Sequence, residues 1–116
     1  ICNFAVLGGF TGVHQFCRMG ESSFSAIGAI VVRDVPPFIM VDGNTARPRS
    51  VNREGLKRRG FSSDLIASLK RCYKALYRQG LSLDDALAVL ERETDEFSEV
   101  SQMVEFIRMS QRGIVR

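Results

Sequence analysis

Aliphatic or small residues recur at every sixth position through the first third of the chain. Ile1, Leu7, Val13, Met19, Ser25 and Val31 share one register, in which only Ser25 is not aliphatic. A second register, two residues earlier, holds small or branched groups alone: Ala5, Thr11, Cys17, Ser23, Ala29 and Val35. A period of six is neither the 2.0 of a strand nor the 3.6 of a helix. It fits a hexapeptide β-helix, in which three short strands make one triangular coil. The aliphatic side chain then points into the prism and the small one fits the crowded corner. The plain alternative is a small sheet with glycine-rich turns at Gly8, Gly9, Gly12, Gly20 and Gly28, and uniform spacing argues against it.

A coil takes three hexads, so residues 1–36 supply two coils. Solenoids generally need about three repeats to bury a stable core. The expectation is therefore the C-terminal piece of a longer protein, with earlier coils before Ile1. The 116 residues can hold one domain with a real core. No apolar run approaches the ~20 residues of a membrane span, and no signal-peptide pattern opens the chain. Membrane insertion is not expected. Three cysteines without paired spacing (Cys2, Cys17, Cys72) favour a reducing compartment, the cytoplasm, over a disulfide frame. One histidine and no CxxC argue against a zinc site.

Asp34-Val35-Pro36-Pro37 is expected to end the repeat, because two prolines remove two ladder donors. The chain then divides into the end of a β-helix over 1–38, an irregular link over 39–51 and a helical domain over 52–116. A short helix is expected around Asn52–Arg59. Ser62 reads as the N-cap of a longer one, with Asp64 in its first turn, an apolar stripe from Leu65 to Tyr77 and Gly80 as its stop. Ser82 caps the next, with Asp85 at N3. Ser98 is expected to cap the last, which buries Val100, Met103, Val104 and Ile107 and stops at Gly113. Charge is uneven: residues 47–59 hold Arg47, Arg49, Arg53, Lys57, Arg58 and Arg59 against Glu54 alone, net +5, which is more than the +3 of the whole chain. Such a cluster suits phosphate, nucleic acid or an acidic protein.

Three stretches resemble one family closely. They are Gly8-Gly9-Phe10-Thr11-Gly12-Val13-His14-Gln15-Phe16-Cys17, then Asp34-Val35-Pro36-Pro37-Phe38 with Gly43-Asn44, then Val51-Asn52-Arg53-Glu54-Gly55-Leu56-Lys57-Arg58-Arg59-Gly60-Phe61. The ending, Phe106-Ile107 and Ser110-Gln111-Arg112-Gly113-Ile114, also fits. Together they resemble the C-terminal half of the acyl-[acyl-carrier-protein]:UDP-N-acetylglucosamine O-acyltransferases of lipid A biosynthesis. The resemblance implies a homotrimer of left-handed β-helices with C-terminal helical domains and an active site in the groove between subunits. It implies transfer of a 3-hydroxyacyl group from acyl carrier protein to the sugar 3-hydroxyl. No cofactor is bound by the protein itself, since phosphopantetheine arrives on the carrier. The chemistry needs a general base for the hydroxyl, donors for the oxyanion and guanidinium groups for the pyrophosphate.

The resemblance assigns residues as follows. The family's catalytic histidine has no counterpart in this sequence, so no catalytic residue is expected here and the chain alone is expected to be inactive. His14 matches a second histidine that lines the groove, and Gln15 matches a residue that hydrogen-bonds the substrate. Asn52, Glu54, Arg58 and Arg59 match residues directed at the nucleotide, the arginines holding phosphates through their planar fork. Ile27 stands where long-chain members carry glycine and is expected to shorten the acyl groove. Lys70, Arg71, Lys74 and Arg78, at helical spacing, form a candidate docking face for the acidic carrier protein. Two other readings compete. A nucleic-acid binder would use residues 47–59 but lacks interleaved aromatics and a helix-turn-helix or RNA motif. A non-catalytic trimerisation scaffold has no need of the polar Val13-His14-Gln15 insertion.

Overall fold

In the computed structural model, which describes residues 1–116, the hexads wind into a three-sided coil of parallel two-residue strands. On the first side β1 (Val6–Leu7) pairs with β3 (Phe24–Ser25); on the second, β2 (Gly12–Val13) pairs with β4 (Ile30–Val31). Val6 faces Phe24 and Val13 faces Val31, a separation of three hexads. The main register points inward: Met19, Ser25 and Val31 are fully buried. Ser25, the one polar member, is accommodated because its hydroxyl shares a 3.0 Å hydrogen bond with Thr11 of the other register.

A third register went unread in the sequence. Phe4, Phe10, Phe16, Ser22 and Gly28 all have φ between 54° and 75°. This left-handed conformation turns the chain at a corner, and bulky residues seldom adopt it. Phenylalanine fills three of the five places, so no glycine or asparagine pattern marks them.

The repeat does not end at the prolines. On the third side Met19 pairs with Val35, 16 residues on instead of 18, so the second coil is two residues short. Val35 thus joins the inward register and leaves the corner register expected for it. The segment 39–51, expected to be an irregular link, is a hairpin: β5 (Ile39–Asp42) pairs in parallel with β3, and β6 (Arg47–Val51) returns antiparallel along β5. The parallel coil therefore runs past residue 38. Its end is covered on every side, by β6 on the first, by Asn44 against Ile30 on the second, and by Ile114 against Asp34 on the third. Covering an edge in this way removes a template for unwanted pairing. Gly20 is required where the prolines cross, since a Cβ there would lie 2.4 Å from the Pro37 nitrogen.

Four helices follow: α1 (Arg53–Arg58), α2 (Ser63–Tyr77), α3 (Leu83–Glu93) and α4 (Ser98–Arg108). Ser62 and Ser82 cap α2 and α3 through the Leu65 and Asp85 amides. Ser98 does not cap α4. Phe97 holds that position without a side-chain bond, its partly buried ring packing on the core. Neither glycine is itself the stop: α2 ends at Tyr77 and α4 at Arg108, and Gly80 and Gly113 take positive φ in the segments that follow. One hydrophobic core runs from Met19, Val31 and Val35 through Val41 and Leu56 to Leu69, Leu90 and Met103. No helix is long and apolar enough to cross a membrane.

Candidate nucleotide cleft and histidine corner

The motif Asn52-Arg53-Glu54-Gly55 builds a helix start against the coil. The Asn52 side chain accepts from the Gly55 amide at 3.3 Å and donates to the Ser22 carbonyl at 2.9 Å, stitching α1 to a corner of the coil. Gly55 permits this, since a Cβ there would lie 2.5 Å from the Asn52 amide nitrogen. Asn52 is buried, and both its oxygen and its nitrogen already serve the fold. That narrows the role at the nucleotide expected for it.

Beside this junction lies a cleft of about 660 Å³, lined by Phe4, Val6, Ser22 and Phe24 of the coil and by Asn52, Glu54, Gly55, Arg58 and Arg59. The four nucleotide candidates therefore converge. They are not equivalent. The Arg59 guanidinium donates to Ser22 Oγ at 2.7 Å and pairs with Glu21 at 3.3 Å. It also lies 4.0 Å from the centre of the Phe4 ring and 5.0 Å from that of Phe61. Such stacking, with two bonds from one guanidinium nitrogen, fixes it as a wall of the cleft. Arg58 and Glu54 are exposed and carry no such partners, so Arg58 is the cation available to an incoming anion.

His14 lies elsewhere. It follows β2 at the corner leading to the third side, in a separate depression with Val32, Arg33 and Arg112. Its Nδ1–H donates to the Gln15 carbonyl at 3.1 Å. Arg33 donates to the Arg112 carbonyl at 3.0 Å, and Arg112 lies over Phe16. The nearby Cys17 thiol is pushed up by burial and by the charge of Asp34, partly offset by Arg112 and Arg33. Arg33 and Arg112 were not singled out in the sequence. They stand 79 positions apart, and only the docking of the tail onto Asp34 joins them. Phe4, Ser22 and Phe24 were missed for a similar reason, because hexad spacing does not tell which outward side chains a helix will roof.

Ile27 is 79% exposed at the corner beside Gly28, so it does not fill the prism. Of the four cations on α2 and its C-cap, two are already engaged. Arg71 forks onto Glu93 at 2.8 and 3.0 Å, which holds that carboxyl below its usual range, and Arg78 donates to the Tyr73 hydroxyl. Lys70 and Lys74 remain as the exposed pair, so the face available to a partner is smaller than the sequence suggested.

A family model described as UDP N-acetylglucosamine O-acyltransferase, domain 2, matches residues 34–115. The chain belongs to this family. Its fold is accordingly the end of a left-handed parallel β-helix followed by an α-helical domain. An O-acyltransferase of Thiobacillus denitrificans is 48% identical over 98% of the chain, and one of Pseudomonas fluorescens 50%. The chain spans 44% of the length of each. Among solved structures, the UDP-N-acetylglucosamine acyltransferase of Francisella novicida superposes with a TM-score of 0.93 at 40% identity, over 98% of this chain and 42% of that one. The Arabidopsis UDP-N-acetylglucosamine acyltransferase gives 0.85 at 35%, over 97% and 42%.

Proposed function

We propose that the complete protein transfers a 3-hydroxyacyl group from acyl carrier protein to the 3-hydroxyl of UDP-N-acetylglucosamine, and that it does so as a homotrimer. The sugar hydroxyl loses its proton to a general base as it attacks the thioester carbonyl. The tetrahedral intermediate then expels the pantetheine thiolate, which takes up a proton. This chain contributes binding groups to that reaction, the base being assigned to an earlier coil. The observation that carries the reading is the placement of the candidates: Asn52, Glu54, Arg58 and Arg59 share one cleft, while His14 and Gln15 stand at a different corner of the coil. Two half-sites on separate faces of one chain are what a rotationally repeated interface requires, because each face meets the other on a neighbouring copy.

A nucleic-acid reading of residues 47–59 is weaker. Arg49 is paired with Asp42 and Arg59 with Glu21, which breaks up the basic run. In the full-length protein Arg58→Ala should weaken UDP-N-acetylglucosamine binding about ten- to a hundred-fold, the worth of a charge-assisted contact. Calorimetry that finds the variant equal to the parent would remove the phosphate role. Ile27, with its β-branch outside the prism, is assigned to closing the acyl groove. Ile27→Gly should move donor preference toward longer 3-hydroxyacyl chains, and an unmoved preference would remove that assignment.

A further inference from the structure

A third cleft, of about 330 Å³, lies where the C-terminal end of α2 meets β6 and Arg116, and it shares no lining residue with the Arg58 cleft. Arg47 and Val51 are the two ends of β6, which separates this cleft from Asn52 by roughly 13 Å of extended strand. Arg47, Arg78 and Arg116 all line it, with Tyr73 and Tyr77, and no Asp or Glu side chain does. Three guanidinium groups around one small space repel each other unless an anion joins them.

Two of the three are held in place. Arg116 donates from one nitrogen to the Leu76 carbonyl at 2.8 Å and to the Leu81 carbonyl at 2.9 Å. Arg78 donates to the Tyr73 hydroxyl at 3.3 Å and lies over the Tyr73 ring. Arg47 is left without a counter-ion, because the strand neighbour that could serve it, Asp42, is taken by Arg49 at 2.7 Å. The dipole of α2 accounts for a cation at its C-terminal end, but three exceed that need. Each guanidinium keeps unused N–H donors, and Tyr73, which accepts from Arg78, keeps its own O–H to give. The Tyr77 hydroxyl is buried with no partner at all. Every polar side chain of the lining carries a donor, and no Asp or Glu is among them.

We propose that this cleft binds a phosphate dianion. Its size is at the small end of ligand sites and suits a phosphate or pyrophosphate group, not an acyl chain. A compact anion with several acceptor oxygens can be shared by the three forks, and the two arginines already held in place lose little freedom on binding it.

The test is a titration of the full-length protein with inorganic phosphate, followed by calorimetry and by the ring signals of Tyr73. The parent should saturate. Arg47→Ala and Arg78→Ala should each weaken the binding seen at Tyr73 about tenfold or more with the fold intact by circular dichroism, while Arg58→Ala, which alters the other cleft, leaves the Tyr73 response unchanged. Uridine diphosphate should compete at this cleft through its terminal phosphate, whereas dimethyl phosphate, a monoanion, should bind clearly more weakly. Lack of saturation, loss on Arg58→Ala instead of Arg47→Ala, or equal affinity for dimethyl phosphate would each overturn the proposal. So would binding of an acidic peptide that needs Arg47 where phosphate does not bind.

Discussion

The second coil and the first coil carry the same register, yet within residues 1–116 only the second is covered on both sides. Met19 and Val31 are fully buried, whereas Leu7 is 38% exposed and Ile1 78%. The hexad decides which way a side chain points; the coil stacked beneath or above decides whether water reaches it. The helical region differs in kind. Leu69, Leu76, Leu90 and Met103 are buried by neighbouring helices from the same stretch of chain, so direction and burial are settled together. In residues 1–116 taken alone, stability should therefore be concentrated from Met19 onward, and a coil stacked on Leu7 would extend it to the first coil.

That contrast can be broken most sharply by cavity formation. In urea unfolding of the 1–116 segment, Leu69→Ala and Met19→Ala should each cost about 2–5 kcal/mol, while Leu7→Ala should cost under about 1 kcal/mol. Equal costs at Met19 and Leu7 would mean that the first coil is as closed as the second. A smaller effect probes the joint between the two regions. Asp34 is buried, and its carboxylate accepts from the Arg18 amide at 2.8 Å and from the Ser110 hydroxyl at 2.6 Å. It thus ties the third side of the coil to the segment beyond α4. Asp34→Ala should cost about 3 kcal/mol and Ser110→Ala roughly half of that. If both are neutral, the tail is docked by Ile114 and Val115 alone.

The sequence showed direction better than it showed neighbours. The inward register, the Ser62 and Ser82 caps and the buried stripe of α2 were all legible, because period and capping are local. The continuation of the sheet through Ile39–Asp42 was not, since two prolines normally argue against a strand. They are tolerated here because the coil shortens by two residues and passes them over Gly20. The Phe4, Phe10 and Phe16 corner was hidden because these residues are chosen against their backbone preference. In the cleft, the convergence of Asn52, Glu54, Arg58 and Arg59 followed from a motif on one short helix. The clamp that fixes Arg59 did not, because Glu21, Ser22 and Phe4 reach it only through the fold.

The central claim is that the His14 corner and the Arg58 cleft complete one another across copies of the chain. Subunit mixing tests it directly in the full-length protein. His14→Ala and Arg58→Ala are each prepared as impaired homo-oligomers, then dissociated, combined and reassembled. In a mixed assembly an interface that pairs the intact His14 corner of one copy with the intact Arg58 cleft of the next is whole again, so acyl transfer should rise above that of either variant alone. If activity stays at the average of the two, both groups act within a single chain and the account is wrong.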